Sequence, residues 1–218
     1  MTQPPLKLPD TGPMTNALPD GRLSAPSAVR NAAPIFERLA EYVPDGGMAL
    51  ELASGTGQHI AALAVAHPDV EWQPSDLSDE RMASVNAWRA HVDVANLRVP
   101  IRFDASGIWP AWSDLGLVYV VNLFHLISQA DAKSVISGAA SGLMAGGHFF
   151  IYGPFRTDGK FRSEGDETFH ASLAAQDAAI GYKDLEWMEA EFCANGLSLV
   201  AVYEMPANNL AVVARKGA

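Results

Sequence analysis

The stretch Met48-Ala-Leu-Glu-Leu-Ala-Ser-Gly-Thr-Gly-Gln58 constrains the fold more than any other part of this chain. An apolar run passes through Glu51 into Gly55-x-Gly57 and then into a helix-like segment, Gln58 to His67. The pattern predicts a strand, a tight glycine turn and a helix opening, the glycines letting backbone approach a ligand where a Cβ would collide. The next strand-like run, Val70 to Pro74, leads to Asp76, about 20 residues past the turn. An acid at that offset suits the two hydroxyls of a ribose, so the unit reads as a nucleotide-type cofactor site. The alternative is an ordinary strand-to-helix turn with Asp76 a solvated carboxylate.

The loop also discriminates between cofactors. A dinucleotide fold wants a small residue three positions after the second glycine, so that the helix packs closely and its N-terminus meets pyrophosphate. Here that position is Ile60. Glu51, just before the loop, repels phosphate and suits a cation. S-adenosylmethionine carries a sulfonium and an ammonium and no phosphate, and it is the cofactor this chemistry favours.

The totals narrow the partners. A chain of 218 residues is long enough for one domain with a substantial core, and 49% of it is hydrophobic. Net charge is 15 − 25 = −10 and the cations form no run, so nucleic acid is a poor partner. The single cysteine, Cys193, excludes an internal disulfide and agrees with a reducing compartment; its helix-like context, Leu185 to Ala194, predicts a buried structural thiol. No segment has the apolar length of a membrane span, and the N-terminus lacks the order of a secretory signal. A soluble, cytoplasmic protein is expected. No His, Asp or Cys spacing reads as a metal site.

Residues 1–26 hold six of the 14 prolines and no apolar period, so a flexible arm is expected before a domain over 27–218. Ser27 to Tyr42 reads as a helix with Ile35, Leu39 and Tyr42 on one face and a break or restart at Pro34. Strand-like runs follow at 48–52, 70–74, 97–104, 115–122 and 148–153, alternating with helix-like runs at 58–67, 79–91, 129–143 and 184–195. Such alternation predicts an α/β fold, a parallel sheet with helices on both faces. The strand-like runs Leu197 to Tyr203 and Asn209 to Arg215 are separated only by Glu204 to Asn208. So short a link cannot hold a crossover helix, and the two strands must pair antiparallel. A Rossmann-like, seven-stranded, mostly parallel sheet with an antiparallel last strand resembles the class I methyltransferase architecture.

Glu51-Leu-Ala-Ser-Gly-Thr-Gly57 resembles the first motif of class I S-adenosylmethionine-dependent methyltransferases. From about Leu23 to Arg215 the chain also resembles the DUF938, or methyltransferase-like 26, family. The carrying residues are Ser27-Ala-Val-Arg-Asn31, Ser54-Gly-Thr-Gly-Gln-His59, Trp72-Gln-Pro-Ser-Asp76, Tyr152-Gly-Pro-Phe155 and Pro206-Ala-Asn-Asn209. The chain departs from the family pattern at His170 and Lys183, where Asp and Arg are expected. The resemblance implies that Ala53, Gly55, Thr56 and Gly57 lie under the methionine part, with Glu51 facing its ammonium. Asp76 would take the ribose hydroxyls, Leu77 would pack on adenine, and Asp104 with Ala105 would meet the adenine edge; a helix N-cap is the alternative for Asp104. Arg30 and Asn31 would fold over the cofactor carboxylate, His59 would touch the cofactor, and Asn122 would stand beside the methyl group.

Methyl transfer is an in-line displacement, so alignment and a dry pocket supply much of the rate. His125, just past Asn122, is the candidate general base, with a structural loop histidine as the alternative. Tyr152 is a further candidate at the same cleft. His67 and His91 read as surface helix ends. Residues 154–183 form a long insertion rich in aromatic and basic side chains, and predict a substrate lid. The function expected is methylation of a small molecule on oxygen, nitrogen or sulfur. The alternatives are a protein or RNA methyltransferase, a non-catalytic S-adenosylmethionine-binding module and a nucleotide-dependent dehydrogenase. The sequence gives no oligomeric state.

Overall fold

The computed structural model describes residues 15–217. A two-stranded hairpin, β1 (Asn16–Ala17) with β2 (Leu23–Ser24), precedes α1 (Pro26–Leu39). Then come β3 (Gly47–Leu52), α2 (Gln58–Ala66), β4 (Val70–Asp76), α3 (Asp79–Val92), β5 (Ile101–Arg102) and β6 (Leu115–Val121). A 3₁₀ turn at Phe124–Leu126 leads to α4 (Gln129–Gly142), β7 (Leu143–Arg156), α5 (Glu164–Gln176), β8 (Lys183–Asp184), α6 (Leu185–Ala194), β9 (Leu197–Glu204) and β10 (Asn209–Lys216). The main sheet runs β5-β4-β3-β6-β7-β10-β9, with β8 paired to β7.

β4, β3, β6 and β7 pair in parallel, and β10 pairs antiparallel with both neighbours. Side chains alternate between the faces, and each face has its own core. Leu50, Val118, Phe149 and Val212 meet α4 and α6 through Ile136, Met188 and Phe192. Ala49, Leu117, Phe150 and Val213 meet α1 and α2 through Ile35, Leu39, Ile60 and Leu63. Ile60, the residue that argues against a dinucleotide, is thus fully buried between helix and sheet. Strand order reverses at β3, whose neighbours are β4 and β6. Open α/β sheets hold ligands at the carboxyl ends of strands beside such a switch point.

Several local expectations change. α1 runs unbroken through Pro34, ends at Leu39 and leaves Tyr42 beyond its C-terminus. The run 97–104 contributes only Ile101–Arg102 plus one bridge from Leu97 to Trp72, because Pro100 cannot donate to a ladder and Val99 bonds through its carbonyl to the Gln73 side chain at 2.9 Å. β7 begins earlier than expected, at Leu143. Cys193 is exposed rather than buried, since α6 turns only Met188 and Phe192 fully inward.

The arm expected over 1–26 falls partly outside the described residues. From Asn16 to Ser24 the chain is seated on the body: Leu23 N–H donates to the buried Ser84 hydroxyl at 2.8 Å, and Trp88 Nε1 donates to the Leu23 carbonyl at 2.9 Å. Ser84 in turn donates to the Thr56 carbonyl at 2.7 Å, coupling hairpin, α3 and glycine turn. Among the described residues no helix is long and apolar enough to cross a membrane.

Candidate active site

β3 ends at Leu52, and the chain turns through Ala53 (φ 52°), Gly55 (φ 55°) and Gly57 (φ 86°) before α2. Gly57 cannot be replaced cheaply, because an added Cβ would stand 2.9 Å from Val85 Cα on α3. Hydrogen bonds brace the turn against β4. Ser54 N–H donates to Ser75 O at 2.8 Å, Ser75 N–H donates to the Ser54 hydroxyl at 3.1 Å, and the Ser75 hydroxyl donates to Glu51 O at 2.7 Å. Asp76, ending β4, accepts from Gly55 N–H and from Ser78 N–H, both at 2.9 Å. Its carboxylate therefore holds the glycine turn as well as facing the cleft.

Two adjoining cavities open at these strand ends. The larger, of 330 Å³, is lined by Glu51, Ala53, Ser54, Gly55, Thr56 and His59, by Asp76, Ser78 and Arg81 across from them, and by Asn122 with Leu126. Its roof is the start of α1, from Ala25 through Ser27 and Ala28 to Asn31. The smaller is a slot lined by Ala53, Asp76, Leu77, Phe103, Asp104, Ala105 and Ser106, closed by Leu123, Ile127 and Val135. Ala53 and Asp76 line both. One wide polar chamber thus continues into a narrow, largely apolar slot with Asp104 at its edge. No helix follows Asp104; its Oδ1 accepts from Ser106 N–H at 2.9 Å and from the Ser106 hydroxyl at 2.7 Å, closing a turn.

Glu51 is the electrostatic anomaly of the chamber. It is 2% exposed, and among the described residues its Oε2 has no hydrogen-bond partner. Burial pushes its carboxyl up to about 8, against the opposing pull of the Ser54 and Tyr119 hydroxyls. The Tyr119 hydroxyl beneath it acts on the carboxyl yet makes no well-formed hydrogen bond. A buried acceptor without a donor is destabilising unless something supplies the donor. A cationic N–H group in this chamber would fit it; a phosphate would not.

His59 and Asn31 join α2 to α1, His59 Nε2 lying 3.0 Å from Asn31 Oδ1. Burial lowers the imidazole to about 4, so His59 is neutral at pH 7. The Asn31 and Asn209 side chains both reach the buried Tyr152 hydroxyl, whose ionisation burial makes harder. Asn122 follows β6 with φ 59° and donates its N–H to Tyr152 O at 2.8 Å. Asparagine tolerates this left-handed backbone better than most side chains.

The structure brings most of the expected cofactor residues together and leaves others outside the cavity walls. Gly57 sits behind the turn against α3. Arg30 is exposed on α1 and lines neither cavity. His125 and Tyr152 are also outside these walls. His125 is 6% exposed, beneath Phe169 and Tyr182 at ring separations of 5.9 and 6.2 Å, and its Nδ1 is unpartnered. Burial, then the Lys183 charge, lowers it to about 3.

The insertion contains α5 and closes over this side. Arg162 and Glu204 form an ion pair, Asn208 Nδ2 donates to Asp166 at 3.1 Å, and the Tyr182 hydroxyl donates to Asp166 at 3.2 Å. Lys183 Nζ donates to the Ile127 and Gly181 carbonyls at 2.6 and 2.8 Å, and Gly181 N–H donates to His125 O at 3.0 Å. His170 Nδ1 accepts from Tyr182 N–H at 3.1 Å. The two positions that depart from the family pattern thus carry the insertion's inner contacts. Arg81 had no signal in the sequence, and Ser27 only that of its motif; the convergence of α1 and α3 on one chamber brings the two together.

Solved structures share this fold at low identity. An O-methyltransferase family protein from Burkholderia thailandensis superposes with a TM-score of 0.73 at 16% identity, over 88% of this chain and 58% of that one. CalO1, a methyltransferase in calicheamicin biosynthesis solved in its SAH-bound form, gives 0.68 at 15%, over 85% and 54%. The putative methyltransferase complexed with the Trm112 activator of Haloferax volcanii gives 0.71 at 15%, over 88% and 92%. The chain spans little more than half the length of the first two. At these identities the likeness is one of fold, that of class I methyltransferases. The family model described as "Protein of unknown function (DUF938)" matches residues 22–216, and the chain belongs to that family.

Proposed function

We propose that this chain binds S-adenosylmethionine across the two cavities and methylates a small-molecule acceptor. The observation that carries the reading is Glu51, a buried carboxyl whose Oε2 lacks a donor inside a chamber lined by the glycine turn. In this reading Glu51 holds the ammonium, Asp76 takes the ribose hydroxyls, and Leu77, Asp104 and Ala105 hold the adenine. When bound, the cofactor supplies an electrophilic methyl group on a positively charged sulfur. Asn122 and Leu126 bound the side from which an acceptor approaches, and Tyr152, fixed by Asn31 and Asn209, braces that wall.

The basicity of His125 bears on the acceptor. With its conjugate acid near 3, the imidazole is neutral and accepts a hydrogen bond, but it takes up a proton poorly. A neutral amine, a thiolate or an oxyanion arrives with its lone pair available and needs no strong base. That favours such acceptors over an unactivated alcohol. The net charge of −10 speaks against RNA as the acceptor.

Calorimetry with S-adenosylhomocysteine and with NAD tests the binding half: the former should bind, NAD should not, and Asp76→Ala should weaken binding by about 1–3 kcal/mol. Tight NAD binding without binding of the sulfur nucleoside would overturn the assignment. A metabolite-pool screen with methyl-labelled cofactor tests turnover. Binding without transfer to any acceptor would leave a binding module instead of an enzyme.

A further inference from the structure

The insertion over 154–183 closes one side of the cleft with little apolar adhesion. Of the 13 residues of α5 only Leu173 is buried. What else holds the helix is polar or aromatic: Asp166 with Tyr182 and Asn208, and a ring cluster of Phe161, Phe169, His170 and Tyr182. An element attached in this way opens at well below the cost of global unfolding.

Two histidines are built into the closed arrangement, both as neutral rings. His125 lies beneath the insertion with Phe169 and Tyr182 against its ring and, among the described residues, no partner for Nδ1. That nitrogen and Asn122 Oδ1 face the same spot over Gly153, each 3.8 Å from the position of an added Cβ. His170 Nδ1 accepts from Tyr182 N–H at 3.1 Å, a role that a protonated ring loses.

The surrounding charges also oppose protonation. Lys183 of β8 acts on both rings, and Arg156 of β7 and Asp184 of β8 act on His170 while pairing with each other at 2.6 Å. On α5 itself Asp166 lies one turn before His170, its carboxylate engaged by the Tyr182 hydroxyl, and Asp131 of α4 acts on Lys183. Burial first, and then the cations, lowers both imidazoles, His125 to about 3. A histidine held below its ordinary 6.5 in the closed form stabilises that form above about 6.5, and the contribution is lost as pH falls. Lys183, lowered to about 8, is charged in both forms below that pH and adds nothing in this window.

We propose that the insertion is a proton-gated lid: it is closed while His125 and His170 are neutral, and it lifts when they take up protons, uncovering His125 and the strand end that carries Asn122. This gate involves no cofactor group and is independent of the cofactor reading above.

Hydrogen exchange read by mass spectrometry on the ligand-free chain, at pH 7.5 and 5.5 with labelling times scaled to the intrinsic exchange rate, is the test. In wild type, protection over 161–183 should fall between the two pH values by about tenfold for each histidine that titrates, while β3 and β6 keep theirs. His125→Gln and His170→Gln cannot take up the proton, and each should remove part of that fall. The double variant should keep less than about twofold. Equal wild-type protection at both pH values, a double variant that retains the wild-type fall, or a simultaneous loss in β3 and β6 would overturn the gate. Should the double variant be unprotected at both pH values, imidazole titration of wild type by NMR decides. Both rings should then titrate together with the loss of protection, and either ring titrating in full under a protected insertion would overturn the gate.

Discussion

The floor of the cleft and its lid have opposite characters. The floor, from β3 through the glycine turn to Asp76, is rigidly braced yet electrostatically unfinished: among the described residues Glu51 Oε2 lacks a donor, the Arg81 guanidinium has no partner, and α1 begins without a side-chain cap. The insertion over 154–183, expected to be a lid, is instead knitted to its surroundings. Arg162 pairs with Glu204, Asn208 and Tyr182 meet Asp166, and Lys183 staples the turn that carries His125. Polar groups left over in a braced floor are complementary to a ligand. Polar groups satisfied across a lid hold a conformation, and that conformation covers the histidine expected to act as base.

Breaking the brace should have the largest effect. Gly57→Ala forces a side chain into a left-handed backbone and against Val85 Cα, and should destabilise the protein by about 2–5 kcal/mol. Urea denaturation measures it, and an unchanged midpoint would show that the turn can relax.

Gly181→Ala tests the lid in the same way. The residue has φ 133°, and an added Cβ would stand 2.5 Å from the His170 ring. We expect faster hydrogen exchange over 161–183, with affinity for S-adenosylhomocysteine changed by less than about threefold, or under 1 kcal/mol. A comparable loss of affinity would join the two regions that the structure keeps apart.

His125→Gln should have the smallest effect. For a nitrogen or thiolate acceptor the single-turnover rate should fall less than about tenfold, whereas loss of a true general base costs about 10²–10⁴. A fall of that larger size with a hydroxyl acceptor would restore His125 as the base.

The same division explains what could be read from the sequence. Glu51, the glycines and Asp76 are legible because strand ends and a tight turn fix them locally, within one β-α-β unit. The antiparallel end of the sheet is legible because five residues between Tyr203 and Asn209 leave room for nothing else. The meeting of Arg81 with the α1 start was not legible because it depends on Ser84 and Trp88 seating the hairpin, contacts more than 60 residues apart in sequence. The burial of His125 was not legible for the same reason, since it comes from Phe169 and Tyr182. The exposed face of α6 that holds Cys193 gave no periodic signal strong enough to separate it from the buried one.

In the proposed cofactor site the buried Glu51 carboxyl receives the cofactor's ammonium. Burial holds Glu51 protonated up to about 8, well above its ordinary 4.5, so between those values the ligand-free fold keeps a proton that the unfolded chain releases. Glu51 therefore costs the ligand-free fold stability increasingly as pH rises from about 4.5 to 8, and a bound cation reverses this by favouring the ionised form. The direct measurement is calorimetry of S-adenosylhomocysteine binding at pH 7 in buffers of different ionisation enthalpy. Net release of up to about one proton per ligand is expected in wild type and none in Glu51→Gln, with affinity lowered about tenfold or more in the variant. Binding of equal strength and equal proton stoichiometry in both proteins would contradict it.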